Sequence, residues 1–362
     1  NDNYIVDDAT ADDELTITQE NAVVDYTGQT LQATPSSNSS LATIALSLNI
    51  LDIDDSNRGD IRNATVTIVD RDNGNAVIHG PVPITDLVIL ADNTLGTISY
   101  DWTVDIGNSD SETYTIGFII DGYYTRNSSE DNTVITVYKP VGDFITGGGY
   151  ILPDESAGIY ASTDGLKTNF GFNVKYNKKG RKLKGHMNII FRRLETDGVH
   201  TYQIKGNAIQ SLGVDIADPD NLFAEFITKA NLTDITDPNY TVSLGGNYTL
   251  KVEMTDRGEP GSEDAIGVNL TDNSGTLLYS SDWSGISTEE MILAGGNIVV
   301  HSGFSDPNSR AESTTIVQLD SKFNVISDEN PFDVKATISI DTSDLKQLVT
   351  YSVYDSSGKF LY

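Results

Sequence analysis

Asn169-Phe-Gly-Phe-Asn-Val-Lys175-Tyr176 is followed by a lysine- and glycine-rich run from Lys178 to Lys184, and then by His186-Met-Asn-Ile-Ile-Phe191-Arg-Arg193. Phe170, Phe172, Val174 and Tyr176 alternate with polar residues, and so do Met187, Ile189 and Phe191. A period of two sends successive side chains to opposite faces of a strand, so the pattern predicts a β-hairpin with one buried face and a basic turn. Phe144-Ile-Thr-Gly-Gly-Gly-Tyr150, just upstream, opens the same unit.

Short strands of the same kind recur in both directions. Upstream, Ala42–Ile50, Ala64–Val69, Thr97–Val104, Tyr114–Ile120 and Thr133–Tyr138 alternate at the spacing of a sandwich. Asp72-Asn-Gly-Asn75 supplies a hairpin turn, and Trp102 is the expected plug between two sheets. Downstream, Thr201–Lys205, Tyr248–Met254, Ala265–Leu270, Leu277–Tyr279 and Asn297–Val300 alternate again. Leu222–Leu232 fits helix and strand templates alike and is read as strand from its neighbours; a helical turn is expected near Thr288–Leu293. The reading is all-β. Residues 1–20 form an N-terminal arm or the tail of a preceding module, 21–140 an immunoglobulin-like β-sandwich and 141–303 a second β-sandwich. Residues 304–321 are a linker, and 322–362 a partial β domain.

Bulk chemistry narrows the partners. The 362 residues carry a net charge of −30 and no cysteine. Such acidity argues against nucleic acid, whose phosphates need a basic face, and against an anionic lipid surface. Without cysteine no disulfide framework exists, so stability rests on core burial, with bound metal as a possible aid. No apolar run is long enough to span a bilayer. Asn1 in place of Met reads as a processed start.

Three groups of motifs resemble modules of Bacteroidota cell-surface and secreted proteins. Gly59-Asp-Ile-Arg-Asn-Ala-Thr-Val-Thr67 with Asp121-Gly-Tyr-Tyr-Thr-Arg126 resembles the immunoglobulin-like repeat of long adhesin-like proteins. The glycine and aromatic motifs from Phe144 to Tyr176, with Gly295-Gly-Asn-Ile-Val-Val-His301, resemble the β module that follows such repeats. The tail, Asn330-Pro331-Phe332 and then Val353-Tyr354-Asp355-Ser-Ser-Gly358-Lys359, is similar to the first half of the type IX secretion sorting domain; Glu329 stands where that domain has Pro, and its closing strands are missing beyond Tyr362. The resemblance implies a secreted or outer-membrane-attached protein that engages the type IX machinery, and a non-catalytic adhesion or stalk role.

Site candidates are few. His79, His186, His200 and His301 show no metal-ligand spacing among themselves, and no carboxylate pair stands out, so no catalytic residue is assigned. Calcium is the expected cofactor: Asp52, Asp54, Asp55, Asn57 and Asp60 offer alternating oxygens on one loop, as a hard cation needs. Asp256–Asp264 and Asp215–Asp220 are weaker versions, equally readable as turns. Two alternatives to the stalk stand beside it. One is a carbohydrate-binding module using Tyr123, Tyr124, Tyr150 and Trp283 as platforms for a surface glycan. The other is a fibre subunit in which residues 1–20 add a strand to a neighbour's open sheet edge.

Overall fold

The computed structural model describes residues 4–6, 15–53, 58–140, 144–176 and 182–301, and past these only the short strands 318–319, 325–327, 336–338 and 351–353. Contacts divide the chain into a unit of residues Asn1–Phe304 and another of Ser305–Tyr362. Among the described residues no helix is long and apolar enough to cross a membrane. The tail contributes two strand pairs, Gln318–Leu319 with Val325–Ser327 and Ala336–Ile338 with Tyr351–Val353. Asn330, Pro331, Phe332, Tyr354, Asp355 and Gly358 lie outside the described residues.

The chain is all-β. After a hairpin of β1 (Tyr4–Val6) and β2 (Leu15–Ile17) come β3 (Glu20–Tyr26), β4 (Leu31–Ala33), β5 (Leu41–Asp52), β6 (Ala64–Asp70), β7 (Ala76–Pro83) and β8 (Asp86–Leu87). β9 (Leu95–Asp105), β10 (Ser111–Gly122), β11 (Tyr124–Thr125) and β12 (Thr133–Tyr138) complete a two-sheet sandwich, ordered β4-β12-β10-β6-β7 over β11-β3-β5-β9-β8. Its core is set by alternation: Ala42, Ile44, Leu46, Leu48 and Ile50 of β5 point inward to meet Ile116, Phe118 and Val66. The expected turn joins β6 to β7, with Gly74 in the left-handed region at φ 60°. The two- and three-residue strands β4, β8 and β11 are too short to show a period, and only the structure reveals them. Trp102 does pack against the core between the two sheets, but without full burial. It is half-buried and packs edge-on against Tyr114 with ring centroids 5.1 Å apart.

The second module, expected as a second sandwich of two sheets, is one continuous antiparallel sheet that curls over its own core. Its strands are β13 (Phe144–Ile151), β14 (Thr168–Tyr176), β15 (Leu183–Glu195), β16 (Gly198–Asp215), β17 (Leu222–Asp237), β18 (Tyr240–Asp256), β19 (Ala265–Thr271), β20 (Leu277–Ser280), β21 (Met291–Ile292) and β22 (Gly295–Val300). The order runs β20-β19-β18-β17-β16-β15-β14-β13-β22, with β21 also on β19. Curling lets the two ends of the sheet share one core of Phe170, Phe172, Phe191, Phe226, Tyr279 and Ile298. The ambiguous Leu222–Leu232 stretch is strand. The turn expected near Thr288 is not helical: Met291–Ile292 pairs with Ala265–Ile266, a strand edge that takes up its backbone groups.

Both ends of this sheet are closed. Beside β20, Ala157 N, Ile159 N and Tyr160 N donate to the carbonyls of Ser280, Leu277 and Leu278. Beside β22, buried carboxylates replace a strand: Asp264 accepts from Ile298 N and Arg257 N, and Asp256 from Val300 N and Gly258 N, all at 2.8–2.9 Å. Burial raises the Asp264 pKa despite those two donors. The module also starts and finishes at one place, since His301 N donates to Phe144 O and the two rings lie 4.1 Å apart.

Candidate binding cleft at the module junction

The central hairpin has two covered faces, where the sequence predicts one. Phe170, Phe172 and Val174 enter the core of the curled sheet, while Asn169, Gly171 and Asn173 are buried on the other side, against the sandwich. Asn188 Nδ2 donates to Thr115 Oγ1 at 3.0 Å, and Gln203 Nε2 donates to both Thr115 Oγ1 and Asn188 Oδ1. Lys175 pairs with Asp110 and Lys205 with Asp72, each at 2.5 Å. Glycine permits the approach: a Cβ on Gly148 would sit 2.4 Å from the Thr30 carbonyl oxygen, and one on Gly171 2.5 Å from Thr136 Oγ1.

Arg192 holds the centre of this contact. It is 5% exposed, and its guanidinium donates to the carbonyls of Glu130, Lys167 and Asn132 and to Asn169 Oδ1 at 2.6–2.7 Å. Burial lowers its pKa to about 10, with Asp131 and Glu130 opposing, so it stays charged at neutral pH. Asp131 in turn takes two bonds from Arg126, at 2.7 and 2.8 Å.

Next to Arg192 the modules part into a cleft of about 860 Å³. One wall is the β3–β4 connection, including Asp25, Gly28 and Gln29; the other carries Tyr150, Lys167 and Gly295–Asn297. Lys167 bridges the walls, 2.5 Å from Asp25 Oδ1 and 4.7 Å from the centre of the Tyr150 ring. A smaller cleft of about 460 Å³ opens between Asp110–Glu112 and His186. There the buried His186 Nε2 has no hydrogen-bond partner; burial lowers its pKa and Glu112 opposes.

The sequence candidates disperse. Tyr124 is 1% exposed and so offers no stacking face; its hydroxyl sits deep near Asp52 and Glu20, and burial, then those charges, raise its pKa. Tyr123 is exposed at the β10–β11 turn, while Trp283 is half-buried in the segment after β20, its backbone N–H donating to Glu155 O. Tyr150 is in the main cleft, but Lys167 lies over its ring and Gly295 packs against it. Of the proposed calcium ligands, Asp54, Asp55 and Asn57 lie outside the described residues. Asp52 Oδ2 accepts from Gly59 N at 2.7 Å, and Asp60 is gripped by Arg62 through both its oxygens. Asp256 and Asp264 are sheet closures, and Asp218 caps its own turn through Asp220 N and Asn221 Nδ2.

Sequence reading passed over one constellation. Glu195, Asp197 and His200 place ligand atoms within 4.8 Å of one another across the β15–β16 turn. His200 Nε2 lies 3.1 Å from Asp197 and Nδ1 3.3 Å from Asp234. Burial lowers the His200 pKa, and the hydrogen bonds and charges of Asp234 and Asp197 outweigh it, for a net rise. The usable signal was a histidine following two carboxylates over a tight turn, which a search among histidines alone misses. No protein-family model, curated protein or solved structure matches the chain.

Proposed function

We propose that this protein is a non-catalytic adhesion or stalk element displayed at the outer surface of a bacterial cell and exported by the type IX route. The observation that supports it is the welded junction: two β modules held by the buried Arg192 and a layer of Asn, Gln and Thr make a stiff unit. Carboxylates prominent in the sequence are engaged with backbone or arginine, as at Asp264 and Asp131, which suits a load-bearing part. Closure of both ends of the curled sheet leaves that module no open edge to accept a neighbour's strand, which favours the stalk over a fibre joined there. Deleting residues from Phe323 onward in the native host is expected to leave the protein in the periplasm; undiminished surface labelling of the deleted form would remove the export route from the proposal.

A further inference from the structure

We infer that the junction cleft is a binding site for a neutral oligosaccharide; this rests on the surface-adhesion reading and names its ligand class. The first observation is size and place, since clefts of about 300–1,000 Å³ at domain boundaries commonly hold small ligands, and this one is about 860 Å³.

The second is charge. The cleft is lined by three cations, Arg126, Lys167 and Arg192, and three carboxylates, Asp25, Glu130 and Asp131, so it is neutral in a chain of net charge −30. Each is already committed: Lys167 to Asp25, Arg126 to Asp131 and Glu130, and Arg192 to three carbonyls and Asn169. A charged ligand would have to break one of these pairs, and an acidic polysaccharide would also meet the repulsion of the whole chain. A polyol needs neither, because its hydroxyls both donate and accept.

The third is what the walls offer. Gln29 is exposed, and its Oε1 takes Ala45 N, which leaves its amide N–H groups to donate. The Tyr150 hydroxyl can donate or accept. Leu166 and Val199 add apolar surface against which the C–H face of a sugar ring can pack.

The test is calorimetric titration of the full chain with neutral hexasaccharides of glucose, xylose and mannose, with oligogalacturonate, and with an uncharged Gly-Ser-Thr decapeptide. Saturable binding of a neutral hexasaccharide, insensitive to salt, is expected. Gln29→Ala and Tyr150→Phe, which leave the core and Arg192 untouched, should each weaken it about tenfold, the value of one hydrogen bond. Binding of oligogalacturonate or the decapeptide instead, equal binding by both variants, or binding of none of the panel would overturn the assignment. Those results leave surface display intact, so they separate failure of the cleft from failure of the adhesion reading.

Discussion

Strands β14–β15 and β17–β18 carry the same two-residue alternation and live in different surroundings. In β17–β18, Phe226, Leu250, Val252 and Met254 face the core, while Glu225, Lys251 and Glu253 stand partly in water as a surface ion-pair group. In β14–β15 the alternate residues Asn169, Asn173, Asn188 and Arg192 are as buried as the phenylalanines. The difference is what lies outside: a second module in one case and solvent in the other. A polar side chain under cover must find partners, and Asn169, Asn188 and Arg192 find them across the junction in Thr133, Thr115 and the Glu130 and Asn132 carbonyls.

The sharpest break of this contrast is charge removal on each side. Arg192→Ala strips four acceptors of their donor in a buried site and is expected to cost about 3–5 kcal/mol in urea unfolding, whereas Lys251→Ala, in the exposed group, should stay within about 0.5 kcal/mol. Similar losses for the two would mean that the junction is wet. Glycine gives a smaller effect of the same kind. Gly148→Ala drives a methyl into the Thr30 carbonyl and should cost about 1–3 kcal/mol; Gly213→Ala, on the open end of β16 with its nearest neighbour a Glu225 methylene at 3.3 Å, should be near neutral. Parity here would show that the modules separate without resistance.

The smallest effect is a pH slope. His186 titrates below its ordinary value because burial disfavours the charged ring. The unfolded chain therefore binds its proton first, and the stability this group confers is complete above the ordinary histidine pKa and lost as pH falls from there through the lowered native one. Unfolding midpoints measured from neutral pH downward should decline less steeply in His186→Gln than in the parent; identical slopes would place that ring in water.

Much of the architecture was legible. Alternation located both cores and with Asp72–Asn75 a hairpin, while Leu222–Leu232 was legible as strand only from its neighbours. Cover on the second face of β14–β15 was not legible, because a period of two separates inside from outside without saying what occupies the outside. One cue was present: Gly171 and the run Gly147–Gly149 are what close backbone approach requires, and Gly148 and Gly171 face the sandwich. The cleft assembles residues as distant as Gln29, Tyr150 and Asn297, a convergence no local spacing encodes. Tyr124 misled because an aromatic beside an exposed twin looks like surface, yet the strand's alternation turns it inward.

Because Phe144 and His301 meet, the second module hangs from the chain by its root. Tension pulling those two residues apart would bypass the long strands and act first at the Ile145–Val300 pair, peeling β22 from β13 like a zip. Asp256, clasping Val300 from the free side, is the catch at the top of that zip.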